Sequence, residues 1–427
     1  MGSEALNMQA FKALEADACS YSYSFPAVLS LARGSIMLTD EGRKVIDFLS
    51  GAGALNYGHN NQGIKDAIVE YLGSDAVVHG LDMATPAKLK FMETFSTAIL
   101  RERGLQYRFQ FPGPTGANAV EAALKLACKV TGRQNIISFA HGYGMSLGVI
   151  AAGGNRFYRT ATGLRLFGAT FMPYDGYFGP AVDTADYLRN ALLDKSSGID
   201  PPAAILVETV QWEGGVNAAR KEWLRSIQAI AKDAGALFIV DDVQVGCGRT
   251  GEFFSFEFAG LTPDIVAMSN SLSGYGLPLS ILLIKEGLDG GRPIERIDTF
   301  QGNNLTLVSA TAAIDIYWRS RTFSNGVQRM GELMRNRLEA IASKHGNSFA
   351  VRGRGMALGF DCQFPGLADA TTHKAFHKGL IVARCGPDDR IVKFSPALTI
   401  DLETLNQGLE IFEESLAETL EYDESVS

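Results

Sequence analysis

From about residue 60 to 300, short apolar runs alternate with stretches whose apolar positions recur at helical spacing. The runs are 135–139, 203–208, 236–241, 265–268 and 279–284. Near-continuous apolar runs of this length suit strands buried on both faces of a mainly parallel sheet. The stretch 119–131 reads as a helix: Val120, Ala123, Leu124, Ala127 and Val130 share one face, and Gly132 can end it. The Gly-rich segment 49–58 reads as loop. Beyond about residue 310, helices over 310–321 and 325–344 precede strands over 356–361 and 391–395 and a last helix over 402–420. That order predicts an α/β protein. A large domain over 61–305 holds the mainly parallel central sheet, and a smaller α+β domain takes the N-terminal segment 1–60 and the C-terminal segment 306–427.

Composition narrows the function classes. A formal charge of −8 argues against nucleic acid or an anionic membrane as partner. No run approaches membrane-spanning length, and the N-terminus lacks a basic stretch followed by an apolar one, so a cytoplasmic enzyme is expected. The five cysteines (Cys19, Cys128, Cys247, Cys362, Cys385) are scattered and odd in number, which suits unpaired thiols in a reducing compartment. No metal site is expected: His373 and His377 stand four apart, a spacing that equally fits a solvated helix face.

Two segments carry candidate chemistry. Asp241 ends an apolar strand in Phe238-Ile-Val-Asp-Asp-Val-Gln, and ligands of open α/β sheets bind outside such strand ends. A carboxylate there can pair with a protonated ring nitrogen. Gly113-Pro-Thr-Gly-Ala-Asn runs into the helix described above, and the open N–H groups and dipole of a helix start can cradle an anion, with Thr115 and Gly116 as working members. Each signal is weak alone. A third segment, Pro263-Asp-Ile-Val-Ala-Met-Ser-Asn270, follows a buried strand with a Ser-Asn pair.

Together with Asp47–Asn61, His79–Thr85, Gly274–Pro278, Thr299–Asn304 and Lys393–Ile400, these segments resemble the class III, fold-type I, pyridoxal-phosphate aminotransferases. Within them the chain is similar to the diaminobutyrate–2-oxoglutarate branch, from about residue 25 to 400. The resemblance implies a homodimer with shared sites and a small-molecule substrate. It implies that Thr115, Gly116 and Ala117 hold the phosphate, that Tyr143 stacks on the ring and that Asp241 pairs with the ring nitrogen. Val243 and Gln244 would pack against the ring, Thr299 would reach the phosphate of the neighbouring subunit, and Glu213 with Lys393 would form a switch pair for the substrate carboxylate.

The departures cluster at the chemistry. Asn270 replaces the lysine that binds the cofactor covalently, and no lysine lies between Lys232 and Lys285. A carboxamide nitrogen is not nucleophilic. Gly142-Tyr143-Gly144 is one residue short of the family pattern, Ala117 replaces a threonine, Gln301 replaces an arginine, and Trp212 is large enough to fill part of the cofactor site. These changes together lead to the expectation of a repurposed, cofactor-independent enzyme that no longer transaminates. It would use Asp241, Glu213, Tyr143, His141, Asn270, Trp212 and Lys393 for condensation, cyclisation, hydrolysis or group transfer in specialised biosynthesis. Three alternatives stand beside it: an enzyme holding pyridoxal or pyridoxamine phosphate non-covalently, a non-catalytic scaffold, and a transaminase trapped by a single lysine-to-asparagine change.

Overall fold

The computed structural model describes residues 24–142, 168–288, 299–345 and 348–426, together with residues 8, 10, 11 and 13–16. Seven strands form the central sheet: β1 (Tyr107–Gln110), β2 (Asn135–Phe139), β3 (Ala169–Met172), β4 (Pro202–Glu208), β5 (Leu237–Asp241), β6 (Ile265–Met268) and β7 (Ile281–Lys285). Their order is β1-β7-β6-β5-β4-β2-β3. Only β7 runs against its neighbours, β6 and β1; the pairs β6–β5, β5–β4, β4–β2 and β2–β3 are parallel.

Alternate residues of the inner strands enter two different cores. Ile205, Val207, Phe238, Val240 and Val266 join one apolar cluster, while Ala204, Leu206, Leu237, Ile239 and Ile265 join the other, against helix α1 (Gly116–Thr131). Burial on both faces is why these strands are apolar at nearly every position. Gly132 ends α1 in the left-handed conformation, φ 70°, where a glycine carries no steric penalty.

The second unit draws on both ends of the chain. A four-stranded antiparallel sheet orders Ala350–Arg354, Ala357–Asp361, Ile391–Phe394 and Ala383–Cys385. The helices Thr322–His345 and Leu402–Val426 contribute Met334, Leu338, Leu409, Phe412 and Leu416 to its core. The N-terminal strands Leu29–Arg33, Ile36–Thr39 and Lys44–Asp47 form a separate four-stranded sheet with Leu380–Ile381, which pairs in parallel with Lys44–Asp47. The expected division at residue 305 falls inside a structural unit. Helix Asn304–Tyr317 puts Leu307, Ala310 and Ile314 into the same core as Phe91, Phe95 and Phe238, and that core continues to Trp318.

His373 and His377 lie exposed on helix Pro365–His377, and among the described residues no acidic, histidine or cysteine cluster could hold a metal. Cys128, Cys247, Cys362 and Cys385 are free thiols; Cys19 lies outside the described residues. No helix among the described residues is long and apolar enough to cross a membrane.

Candidate active site

The carboxyl ends of β5 and β6 lie side by side, with Asp241 in register with Ala267. Asp241 is half-buried and accepts one hydrogen bond, from the Val243 N–H to Oδ1 at 3.1 Å. Among the described residues no cation pairs with it. Burial pushes its pKa up from 3.8 to about 6. Val243 then packs directly on the start of α1: a Cβ added to Gly116 would lie 2.4 Å from Val243 Cγ1. The helix start and the strand-end acid singled out from sequence are therefore neighbours, brought together across more than a hundred residues.

Thr115 caps α1. Its side chain accepts the Asn118 N–H, and Asn118 Oδ1 takes both the Thr115 N–H at 3.1 Å and its hydroxyl at 2.7 Å. Gly116 and Ala117 keep the open N–H groups of the first turn. Ser280, buried at the start of β7, donates to the Gly113 carbonyl at 2.7 Å and fixes the preceding loop.

Glu213 and Lys393 meet as expected. Lys393 Nζ donates to both carboxylate oxygens, at 2.8 and 2.7 Å, and Gln244 Nε2 donates to Oε1 at 3.2 Å. Glu213 lies in the turn after the strand Val210–Gln211 and Lys393 on the strand Ile391–Phe394, so the pair joins segments 180 residues apart. His141 has φ 68° and approaches the same segment: a Cβ on Gly214 would lie 2.4 Å from the His141 carbonyl. Burial, then the nearby Arg352 charge, lower the His141 pKa. Thr299 is exposed beside Phe300. Tyr143 lies outside the described residues.

Trp212 departs from expectation. It is only 3% exposed and packs with Val210, Val216, Val245, Ala357, Cys385 and Ile391 in an apolar cluster. The Lys393 Nζ stands 5.7 Å above its ring. Trp212 therefore lies against the Glu213–Lys393 pair as part of a buried apolar cluster. Trp212→Gly should cost about 3–5 kcal/mol of stability, measured as a lowered urea midpoint, instead of leaving a folded protein with an enlarged pocket.

Position 270 follows β6. Asn270 is half-buried with φ 51°. Its neighbours are anchored: Ser269 Oγ donates to the Leu279 carbonyl at 2.8 Å, and Ser271 Oγ donates to the Gly53 carbonyl and accepts the Asn56 N–H at 3.0 Å. Asn56 is fully buried, and Arg249 donates to its Oδ1 at 2.7 Å and to the Pro396 carbonyl at 2.6 Å. Burial pulls the Arg249 pKa down to about 9, against the opposing pull of the Asp47 charge. This buried polar frame under position 270 escaped the sequence reading. Its one signal was a charged residue in the otherwise small and apolar run Val245-Gly-Cys-Gly-Arg.

Residues 20–416 match the family model for class-III aminotransferases. An uncharacterised aminotransferase of Sinorhizobium fredii is 54% identical over 98% of this chain and 94% of its own length. A diaminobutyrate–2-oxoglutarate transaminase of Bordetella parapertussis is 52% identical over 97% of this chain and 96% of its own. The ornithine aminotransferase of Toxoplasma gondii has the same fold, with a TM-score of 0.84 at 21% identity over 99% of this chain and 97% of that one. These relationships overturn the expectation of a repurposed, cofactor-independent enzyme outside transamination. Relatives this similar across the whole chain carry a transaminase name, and the family is one that uses pyridoxal phosphate. The error came from weighing position 270 above everything else. The open helix start of α1 and the strand-end acid Asp241 stand beside each other in this chain.

Proposed function

The chain belongs to the class-III aminotransferases, and from that membership we propose that it binds pyridoxal phosphate in the Asp241 cleft and transfers the terminal amino group of a small diamino acid of the 2,4-diaminobutyrate type, with a 2-oxo acid as counter-substrate. The observation that carries this reading is Asp241: a strand-end carboxylate with a raised pKa and no counter-cation among the described residues, packed through Val243 against an open helix start. A protonated pyridine nitrogen supplies the missing partner.

When bound, the cofactor supplies an electron-withdrawing ring and a carbonyl carbon that can exchange an amino group. The N–H groups of Gly116 and Ala117, with the helix dipole, hold its phosphate. Asp241 keeps the ring nitrogen protonated, and the Val243 side chain supports the ring from α1. Glu213 holds Lys393 while no anion is present. A substrate carboxylate competes for the Lys393 ammonium, and Gln244 steadies the released Glu213. Asn270 stands where the family places its lysine. Its amide cannot bond covalently to the cofactor, so the cofactor is held reversibly and amino transfer is slow.

The chain acts as a homodimer in this reading. Thr299 is exposed, and Phe300 (59%), Met83 (57%), Val77 and Val78 (both 49%) leave apolar surface open near it. A second copy would cover that surface and bring its own Thr299 to the phosphate.

The test is a titration of cofactor-free protein with pyridoxal phosphate, followed by near-ultraviolet and visible absorption, with molar mass from sedimentation equilibrium. Saturable binding that dialysis reverses, slow product from diaminobutyrate and 2-oxoglutarate, and a dimeric mass are expected. A protein that takes up no cofactor at millimolar concentration would refute the reading.

A further inference from the structure

We infer that the Asn270 carboxamide recognises the exchangeable group of the cofactor, so that the site prefers the amine form, pyridoxamine phosphate, over the aldehyde form, pyridoxal phosphate. The inference rests on the cofactor reading above.

The geometry isolates this amide. Ser269 is tied to Leu279, and Ser271 is tied to both Gly53 and Asn56, so the backbone is pinned on either side of position 270. The residue between them holds a left-handed conformation, φ 51°, which asparagine tolerates better than most side chains. Among the described residues its own carboxamide makes no hydrogen bond, although it is half-buried. Such a group offers two donors and an acceptor oxygen, and enclosed polar groups generally find partners. The register of β5 and β6 sets Ala267 beside Asp241, so Asn270 and Asp241 leave the sheet at adjacent strand ends, on the edge where the ligand sits.

The two cofactor forms differ in what they offer this amide. The aldehyde oxygen only accepts, and takes one neutral hydrogen bond from Nδ2. The ammonium of the amine form donates to Oδ1, and a charge-assisted hydrogen bond is about twice as strong as a neutral one. A lysine at this position would reverse the order, because it bonds covalently to the aldehyde form alone. Asparagine removes that covalent gain and adds an acceptor for the ammonium. Glu213, another acceptor near the cleft, is occupied by Lys393 and Gln244.

Calorimetric titration of the cofactor-free protein with pyridoxamine phosphate, pyridoxal phosphate and 4′-deoxypyridoxine phosphate tests this. Pyridoxamine phosphate should bind about 5–10-fold more tightly than pyridoxal phosphate. Asn270→Gly keeps the left-handed backbone without strain and should make the two equal. Asn270→Asp should widen the preference for the amine. Circular dichroism checks that both variants fold. Equal or tighter binding of pyridoxal phosphate by the unsubstituted protein, or a preference that survives in Asn270→Gly, overturns the inference. If all three compounds fail to bind, the cofactor reading falls and takes the inference with it; if the deoxy compound binds but no amine preference is seen, only the inference falls.

Discussion

Replacing Asn270 by lysine should raise amino transfer from diaminobutyrate to 2-oxoglutarate by about 10²–10⁴-fold, the usual contribution of a positioned general base. Borohydride treatment of the cofactor-loaded variant should leave the cofactor attached to the chain. The ε-amino group supplies a nucleophile and a proton carrier, neither of which a carboxamide provides, because its nitrogen lone pair is delocalised. The surroundings are ready for it. Ser269 and Ser271 hold the backbone from both sides, and Trp212 is packed in a buried apolar cluster. The left-handed conformation at position 270 (φ 51°) costs a lysine roughly 1–2 kcal/mol, so a small loss of thermal stability should accompany the gain. A variant that captures the cofactor covalently yet turns over no faster than its parent would sink this account of position 270.

Asp241→Asn should weaken cofactor binding by roughly 10–100-fold, the loss of one hydrogen bond to a charged group, and should stabilise the cofactor-free protein at pH 8. Burial raises the Asp241 pKa from 3.8 to about 6. The folded protein therefore binds this proton more tightly than the unfolded chain does. Stability from the group is greatest below its unfolded pKa and falls as pH rises through about 6. Asparagine cannot ionise and removes that penalty. It also removes a charge beside the buried Asp242, whose own pKa burial lifts to about 7. In the parent, cofactor affinity should decline as pH falls through about 6, because the ring nitrogen needs the ionised carboxylate. Melting curves at pH 5 and pH 8, paired with cofactor titrations, check all three. An Asp241→Asn protein that melts lower than its parent at pH 8, or that binds cofactor equally well, would mean that Asp241 is satisfied inside the fold and does not serve the ligand.

The chain's local chemistry determined much of this protein. Strands β2 and β6 appear where the apolar runs lie, because residues buried on both faces leave no polar position to blur the pattern. The end of α1 was readable because Gly132 can take the left-handed cap conformation, whereas its start at Gly116 came three residues before the expected 119, where the Thr115 side chain caps it. The strand end at Asp241 and the helix start beside Thr115–Ala117 were also legible as candidates, since each sits in one continuous segment. What the sequence left open depended on contacts between distant segments. The edge strands β1 and β3 escaped because one flank is open and their runs are short and mixed. Helix Asn304–Tyr317 joined the large core through contacts with Phe91 and Phe95, which lie some two hundred residues earlier. Trp212 looked like a cofactor-site residue because it adjoins Glu213. Only the crossing of the two domains showed that its ring points into an apolar seam under Lys393. Side-chain direction at a strand end is set by what packs against it, and for Trp212 the packing partners are Ala357, Cys385 and Ile391, far along the chain.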